Sequence, residues 1–264
     1  MELFDTHAHY IDARFEDEYE GGAEALLPEV FAAGVSYVIN VGTNPENSRR
    51  AVEQAKKYEG MFAAVGIHPS DCQYLDGAPE DELVRIAELI EKENKIVALG
   101  EIGFDYHYDD TDKEKQTVYF ERQMEMAQKY GLPVIIHDRD AHGDCFDMIR
   151  KYPDVKGVFH SYSGSREMAL DLVRRGWYIS FSGVISFKNA PRVKEVAAAL
   201  PSDKILIETD CPYLAPTPYR GKLNHSGYMI HTLSALAEAR GESAEKLAEQ
   251  LMENSKKLFS IKRA

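Results

Sequence analysis

The chain has 264 residues, of which 44% are hydrophobic, and its formal net charge is −13. This length suits one large α/β domain, and we expect a single domain over residues 1–264. Proteins that track along a nucleic-acid backbone usually carry a basic stripe, and this acidic sequence shows none. A phosphate substrate would therefore have to be held locally, by metal ions and a few cations.

The sequence also indicates the cellular compartment of the protein. No apolar run approaches the ~20 residues of a membrane-spanning helix, and the first residues do not follow the pattern of a signal peptide. The cysteines are Cys72, Cys145 and Cys211, an odd number without a Cys-x-x-Cys pair. This usage is typical of a reducing compartment and argues against a thiolate zinc site. We expect a cytoplasmic protein with no membrane association, and no feature predicts an obligate protein partner.

Short apolar runs alternate with helical patterns along the whole chain. The predicted strands are residues 3–6, 35–41, 61–67, 96–100, 133–136, 158–159, 177–181 and 205–209. The predicted helices are residues 23–33, 45–58, 80–93, 113–130, 140–151, 165–175, 190–199, 226–240 and 243–259. The apolar runs are mostly uninterrupted, as expected for a parallel sheet that is covered on both faces. Eight strands that alternate with helices predict an α/β fold, a (β/α)8 TIM barrel.

Several predicted helix ends carry recognisable signals. Asn44 precedes a proline at a first helical position, and Ser165 precedes another helical run. Other predicted helices stop at Gly34, Gly131 and Gly176, because glycine readily adopts the left-handed conformation that ends a helix. These signals support the predicted boundaries independently of the apolar pattern.

Two histidines stand at the end of the first predicted strand. His7 and His9 are separated by one residue, so on an extended strand both imidazoles point to one face and can bind one metal ion. Such a pair alone is a weak signal, because nearby histidines often arise by chance. Four more candidate ligands each follow a short apolar segment: Glu101, His137, His160 and Asp210. In a (β/α)8 barrel the carboxyl ends of the strands open onto one mouth, which would bring the six side chains together.

Six motifs occur in order along nearly the whole chain. They are Phe4-Asp5-Thr6-His7-Ala8-His9, Gly66-Ile67-His68-Pro69, Gly100-Glu101-Ile102-Gly103-Phe104-Asp105-Tyr106, Ile136-His137-Asp138-Arg139-Asp140-Ala141, His160-Ser161-Tyr162-Ser163-Gly164 and Glu208-Thr209-Asp210-Cys211-Pro212-Tyr213-Leu214-Ala215-Pro216. This set resembles the successive motifs of the TatD family of metal-dependent hydrolases. The resemblance implies an amidohydrolase-like barrel, two divalent ions and a metal-dependent DNase activity that often removes nucleotides from a DNA end.

The resemblance also implies a role for each ligand. The implied ligand groups are His7, His9 and Asp210 for one ion, and His137 and His160 for the other. Glu101 would bridge the ions, because two cations ~3.5–4 Å apart repel and an anion between them lowers that cost. The ions would acidify a water, and Asp210 could accept its proton, which makes Asp210 and Glu101 the catalytic residues. Imidazole and carboxylate ligands allow zinc, manganese or magnesium. We expect Glu101 to be an exposed carboxylate that contributes little to stability.

Five further residues have candidate roles, and four of them have a plainer alternative. His68 is a candidate substrate contact or a structural loop histidine. Arg139 could clamp a phosphate, although ordinary ion pairing explains it equally well. Lys188 and Arg220 could add positive charge for the substrate or could be solvated loop cations. Asp105 is expected to support a metal ligand by hydrogen bonding.

Other aromatic and histidine side chains have no defined role. Three tyrosines could offer a stacking surface for bases, although aromatic residues more often serve packing: Tyr10, Tyr106 and Tyr108. Three histidines match no family motif and are expected at the surface: His107, His142 and His231. The predicted metal centre depends on neither group.

The chain departs from the family pattern after Arg220-Gly221-Lys222. There the family usually continues with a basic residue, asparagine, glutamate and proline, whereas this chain reads Leu223-Asn224-His225-Ser226-Gly227. Loss of the acidic residue and the proline alters the rim beyond the last strand. The metal ligands are unaffected, but the choice of substrate is left open.

Three functions are compatible with these observations. The first is a two-metal phosphodiesterase that uses a metal-activated water, a deoxyribonuclease acting on single-stranded DNA or DNA ends. The second is a hydrolase of the same fold that cleaves an ester or amide bond of a small molecule or an aminoacyl conjugate, which the acidic composition mildly favours. The third is a binding protein without activity, which would be expected to have lost ligands, whereas all six are present. We predict a metal-dependent hydrolase that acts on ester bonds, with DNA as the expected substrate.

Overall fold

The computed structural model describes residues 1–262. The strands are β1 (Leu3–Ala8), β2 (Val35–Val41), β3 (Met61–Val65), β4 (Ile96–Asp105), β5 (Val134–Arg139), β6 (Gly157–Phe159), β7 (Tyr178–Phe181) and β8 (Ile205–Ile207). Every predicted strand is present. The side chains of β1 and β7 are all buried, which agrees with a sheet covered on both faces.

Helices occupy most of the chain between the strands. They are α1 (Ala13–Glu18), α2 (Gly22–Ala32), α3 (Pro45–Lys56), α4 (Pro69–Cys72), α5 (Pro79–Lys92), α6 (Lys113–Tyr130), α7 (His142–Lys151), α8 (Arg166–Arg174), α9 (Pro191–Ala199), α10 (Met229–Arg240) and α11 (Ala244–Leu258). The short helices α1 and α4 were not predicted, because neither is long enough to show a helical period. Among residues 1–262, no helix is long and apolar enough to cross a membrane.

The strands follow one another in the sheet in their sequence order, from β1 to β8. The pairs β1–β2, β3–β4, β4–β5, β5–β6 and β7–β8 are parallel. Parallel neighbours require a crossover connection, and helices supply it here. The predicted (β/α)8 barrel is confirmed.

The chain forms two compact units. The terminal unit comprises residues 1–40 together with the chain from residue 160 onward, and the central unit comprises residues 41–159. The terminal unit contains β1, β7 and β8, and the central unit contains β3 to β6. The single domain predicted for residues 1–264 stays a prediction, and its last two residues lie outside the described chain.

Local signals place several helix ends where the sequence predicted them. The side chain of Asn44 accepts a hydrogen bond from the Asn47 amide at the start of α3, and Ser165 accepts one from Met168 at the start of α8. Gly131 ends α6 in the left-handed conformation, with φ 66°. The predicted helix 226–240 instead begins with a 3₁₀ turn at Ser226–Tyr228, and α10 starts only at Met229.

Two candidate ligands lie inside strands and not at their exits. Glu101 was predicted to follow a strand, but β4 continues through it to Asp105. His137 likewise lies within β5. The two strands remain paired beyond these residues, with Gly103 opposite His137 and Asp105 opposite Arg139. Backbone pairing extends past the apolar run because it requires an extended chain and a partner strand, and not apolar side chains.

Candidate functional site

The terminal unit brings four candidate ligands together in what we call the terminal cluster: His7, His9, His160 and Asp210. The Nε2 atoms of His7 and His9 are 3.0 Å apart. Oδ1 of Asp210 lies 3.7 Å from Nε2 of His7 and 3.5 Å from Nε2 of His9. Donor atoms around a tetrahedral ion with bonds of about 2.1 Å are separated by about 3.4 Å. The spacing of these three side chains therefore fits the ligands of one metal ion.

His160 packs directly against His7. The two rings are stacked with their centroids 4.1 Å apart, and His160 forms a possible metal-binding group with His7 and Asp210. Nδ1 of His160 lies 3.1 Å from Oε1 of Glu208, which also accepts a hydrogen bond from the Ser161 amide. A carboxylate beside one ring nitrogen holds the proton there and leaves the other nitrogen to bind metal. Glu208 thus orients the His160 ring.

Asp210 is held as an anion in this cluster. Burial favours the neutral form of its carboxyl group, but the hydrogen bond from His9 and the nearby imidazoles of His160 and His7 outweigh burial and lower the pKa of Asp210. The backbone of Asp210 has φ 56°, a left-handed conformation that is uncommon outside glycine. Such a conformation is often found at functional sites, where the surrounding structure maintains it.

The central unit contains a second group, the central cluster: His68, Glu101 and His137. Oε1 of Glu101 is 2.5 Å from Nδ1 of His137 and 3.6 Å from Nε2 of His68. Glu101 is only 3% exposed, so the prediction of an exposed carboxylate is wrong. Because β4 and β5 are neighbours in the sheet, these strands place Glu101 beside His137.

His68 is oriented by the helix that follows it. It is the residue that caps α4, and its Nδ1 accepts a hydrogen bond from the Ser70 amide at 3.0 Å. In a neutral imidazole the other nitrogen then carries the proton. Nε2 of His68, which faces Glu101, is therefore a hydrogen-bond donor and not a free lone pair. This orientation suits a contact with an anionic oxygen better than a bond to a metal ion.

Asp105 lies against His137. Oδ2 of Asp105 is 3.2 Å from Nε2 of His137, and Oδ1 accepts a hydrogen bond from the His107 amide. Burial raises the pKa of Asp105, but the hydrogen bonds from His137 and His107 outweigh burial and lower that pKa to about 2. Asp105 thus contacts His137, and its role in orienting a metal ligand stays a prediction.

The family model for TatD-related DNase matches residues 4–260. The chain belongs to the TatD-related DNase family. Its curated relatives include a metal-dependent hydrolase of Bacillus subtilis, YabD, which is 39% identical over 98% of this chain and 99% of the relative. The Escherichia coli hydrolase YcfH is 32% identical over 99% of this chain and 97% of its own. The chain is a metal-dependent hydrolase of this family.

Solved structures of TatD proteins share the fold. The crystal structure of YjjV, a TatD homologue from Escherichia coli, has a TM-score of 0.90 and 30% identity, with 98% of each chain covered. A TatD family hydrolase from Entamoeba histolytica has a TM-score of 0.83 at 22% identity, again with 98% of each chain covered. The second likeness concerns the fold alone.

The three cations that are candidates for substrate binding are accessible to solvent. The Arg139 side chain is 45% exposed, and its Nη1 lies 3.9 Å from Oδ2 of Asp105. Lys188 and Arg220 are exposed, and the Arg220 guanidinium lies 4.4 Å from the ring centroid of Phe187, the residue before Lys188. Phosphate binding by these cations stays a prediction.

The tyrosines and the remaining histidines differ in their placement. Tyr10 is 1% exposed, so it serves packing and the suggestion that it stacks a base is wrong. Tyr108 is 52% exposed. The three histidines that were expected at the surface lie at or near it: His107 is exposed, and His142 and His231 are partly exposed. His107 and His142 contact carboxylates, at Asp140 and Asp138 respectively.

Two buried carboxylates were not assigned a role from the sequence. Glu208 lies two residues before Asp210, and Asp5 lies two residues before His7. A separation of two places side chains on one face of an extended chain, and this period was the signal that could have identified both. Both Glu208 and Asp5 are fully buried and contact the segments that carry the terminal cluster.

Proposed function

We propose that this protein is a two-metal phosphodiesterase that hydrolyses DNA. By the TatD pattern, His7, His9 and Asp210 would hold one divalent ion, His137 and His160 would hold a second, and Glu101 would serve both. The observation that carries the proposal is the spacing of the terminal cluster, where three donor atoms lie 3.0 to 3.7 Å apart. In a (β/α)8 barrel the active site forms at the carboxyl ends of the strands, and the terminal cluster lies at or just after the ends of β1, β6 and β8.

The donor set admits several metals. Imidazole nitrogens and carboxylate oxygens accept zinc, manganese and magnesium, so the ligands do not select among them. Bound divalent ions supply Lewis acidity and lower the pKa of water, which makes it a nucleophile near neutral pH.

The chain's own residues position the reactants. The Asp210 carboxylate, which lies beside His7 and His9, would accept the proton of the attacking water. The N–H of His68 at Nε2 donates to an oxygen of the scissile phosphate. Arg139, Lys188 and Arg220 bind the phosphates that flank it, because guanidinium and ammonium groups donate charge-assisted hydrogen bonds to phosphate oxygens.

DNA is the proposed substrate, with single strands and ends preferred. The family to which the chain belongs is described as TatD-related DNase, and this description supports the assignment. The net charge of −13 restricts contact with a polyanion to the metal ions and a few cations, which suits a short terminal segment better than a long duplex.

The same charge favours a second candidate. Hydrolysis of an ester or amide bond in a small molecule or an aminoacyl conjugate requires the same metal centre and no extended phosphate contact. An acidic chain imposes no electrostatic cost on a neutral substrate of this kind.

We place the enzyme in the cytoplasm. Cys72, Cys145 and Cys211 are all buried free thiols, a state that a reducing compartment preserves.

One experiment tests the metal centre. Elemental analysis of manganese-loaded protein should give two ions for each chain, and His9→Ala should lose one of them. His107→Ala is the matched control, because His107 is exposed and outside both clusters. A His9→Ala protein that retains two ions would contradict the proposed ligand set.

A second experiment tests the substrate. The metal-loaded protein is assayed against end-labelled single-stranded DNA, bis(4-nitrophenyl) phosphate and a panel of carboxylic esters. The proposal expects cleavage of both phosphodiesters. Hydrolysis of esters alone would favour the second candidate.

A further inference from the structure

A buried hydrogen-bond network surrounds Asp5 in the terminal unit. Oδ2 of Asp5 accepts hydrogen bonds from the hydroxyls of Thr209 and Ser226, both at 2.6 Å. Oδ1 accepts from the Thr209 amide at 3.0 Å and from the His7 amide at 3.3 Å. All four residues are buried. Four donors on one carboxylate leave little freedom for the segments that carry them.

Ser226 closes this network through Tyr10. The Ser226 amide donates to the Tyr10 hydroxyl at 2.9 Å, and the two hydroxyl oxygens are 2.8 Å apart. Because the Ser226 hydroxyl gives its only hydrogen to Asp5, the Tyr10 hydroxyl must donate to Ser226. The hydrogen bonds thus run in one direction, from the Ser226 amide through Tyr10 and the Ser226 hydroxyl to Asp5.

The network contacts the ligand segments at two points. One is the amide of His7 itself, and the other is Thr209, the residue before Asp210. The backbone adds a third connection, from the Asp210 amide to the His7 carbonyl at 2.9 Å. Asp5 therefore joins β1 to the segment after β8 where the terminal cluster forms. The side chain of Asn224 supports the same segment by donating to the Thr209 carbonyl.

Ser226 belongs to the stretch in which this chain departs from the TatD pattern. A proline there has neither an amide hydrogen nor a hydroxyl, so it could donate to neither Tyr10 nor Asp5. Serine supplies both donors. In this chain Ser226 therefore connects the loop after β8 to Asp5 of β1.

We infer that Asp5 and Ser226 are positioning residues that hold His7 and Asp210 at the spacing of metal ligands. This inference rests on the metal centre of the proposed function. Neither residue belongs to the set of ligands. They act through the His7 amide and Thr209, in the way that hydrogen-bonded partners behind metal ligands set metal affinity.

The test is a calorimetric titration of metal-free protein with Mn²⁺. Wild-type protein should show two binding events, and His9→Ala identifies the event that belongs to the terminal cluster. Ser226→Ala removes the hydroxyl and keeps the amide, and it should weaken that event about tenfold or more while the other event keeps its affinity. Ser226→Thr retains the hydroxyl and should restore the affinity. Ser234→Ala is the control, because Ser234 is exposed on α10 and its hydroxyl donates to the Ile230 carbonyl of the same helix.

The outcomes separate a positioning role from a structural one. A Ser226→Ala protein with two wild-type affinities would overturn the inference, even if urea unfolding showed lower stability. Equal weakening of both events would also overturn it. A wild-type protein that binds no Mn²⁺ would refute the proposed metal centre together with this inference. Because no DNA is used, a wrong substrate assignment changes none of these results.

Discussion

Oε1 of Glu101 on β4 lies 2.5 Å from Nδ1 of His137 on the neighbouring β5. The pair is set by strand register, since Gly103, two residues after Glu101, stands opposite His137. A carboxylate in this position could serve as the shared ligand of the proposed metal centre.

We expect Glu101→Gln to lose activity without losing the fold. The amide has the shape of the carboxylate but not its charge, so metal affinity and the aligned water are lost together. Turnover should fall more than about 100-fold, because loss of outer partners of a ligand alone costs about 10–100-fold. Circular dichroism checks the fold, and Glu88→Gln is the control on the exposed surface of α5. Near-normal turnover by a folded, metal-loaded Glu101→Gln protein would contradict the bridging role.

Arg139→Ala should raise KM for DNA about tenfold and change the hydrolysis of a small neutral ester much less. A charge-assisted hydrogen bond is worth about 1.5–3 kcal/mol, and a neutral ester does not engage it. Steady-state kinetics on both substrates measure the difference. Arg150→Ala, which alters an exposed arginine on α7 that pairs with Asp147, serves for comparison. Equal effects on DNA and ester would show that Arg139 does not bind phosphate.

The enzyme should digest linear single-stranded DNA from an end and spare a closed circle. Active sites at barrel mouths are enclosed by the loops between strands and helices, and these admit a chain terminus more easily than a duplex ~20 Å wide. Gel analysis of end-labelled linear strands and covalently closed circular strands distinguishes the two modes. Rapid cleavage of the circle, which has no end, would contradict the prediction that digestion starts from an end.

Acidification should destabilise the wild-type protein more than His225→Phe. Burial lowers the pKa of His225 below its ordinary value of 6.5, and Glu29 opposes this only in part. Below pH 6.5 the unfolded chain binds a proton at His225 that the folded chain does not. The free energy of unfolding therefore decreases as the pH is lowered. Above pH 6.5 the effect is absent. Phenylalanine keeps a ring beside Tyr228, 3.9 Å away between centroids, and cannot titrate.

Urea unfolding of metal-free protein between about pH 7.5 and about pH 5 measures this difference. One group contributes a slope of at most about 1.4 kcal/mol per pH unit. His107→Phe reports the effect of removing an exposed imidazole. Parallel stability curves for wild type and His225→Phe would exclude His225 as the cause.

The sequence alone determined the order of elements and the identity of the candidate ligands. Apolar runs and helical periods are local, so residues such as Asn44 and Ser165 could be assigned as helix caps without knowledge of the fold. The spacing of His7 and His9 is local as well, because two residues of an extended strand share a face. The (β/α)8 order then followed from the alternation itself.

Tertiary structure decided which side chains meet and how they are oriented. Glu101 was expected to be exposed, yet it is buried beside His137, because β4 and β5 stay paired beyond their apolar runs. The partnership of Asp5 with Ser226 joins residues 221 positions apart. Hydrogen bonds of this kind require distances of about 3 Å between segments that are far apart in the sequence. Folding sets these distances, and the periodicity along one segment cannot specify them.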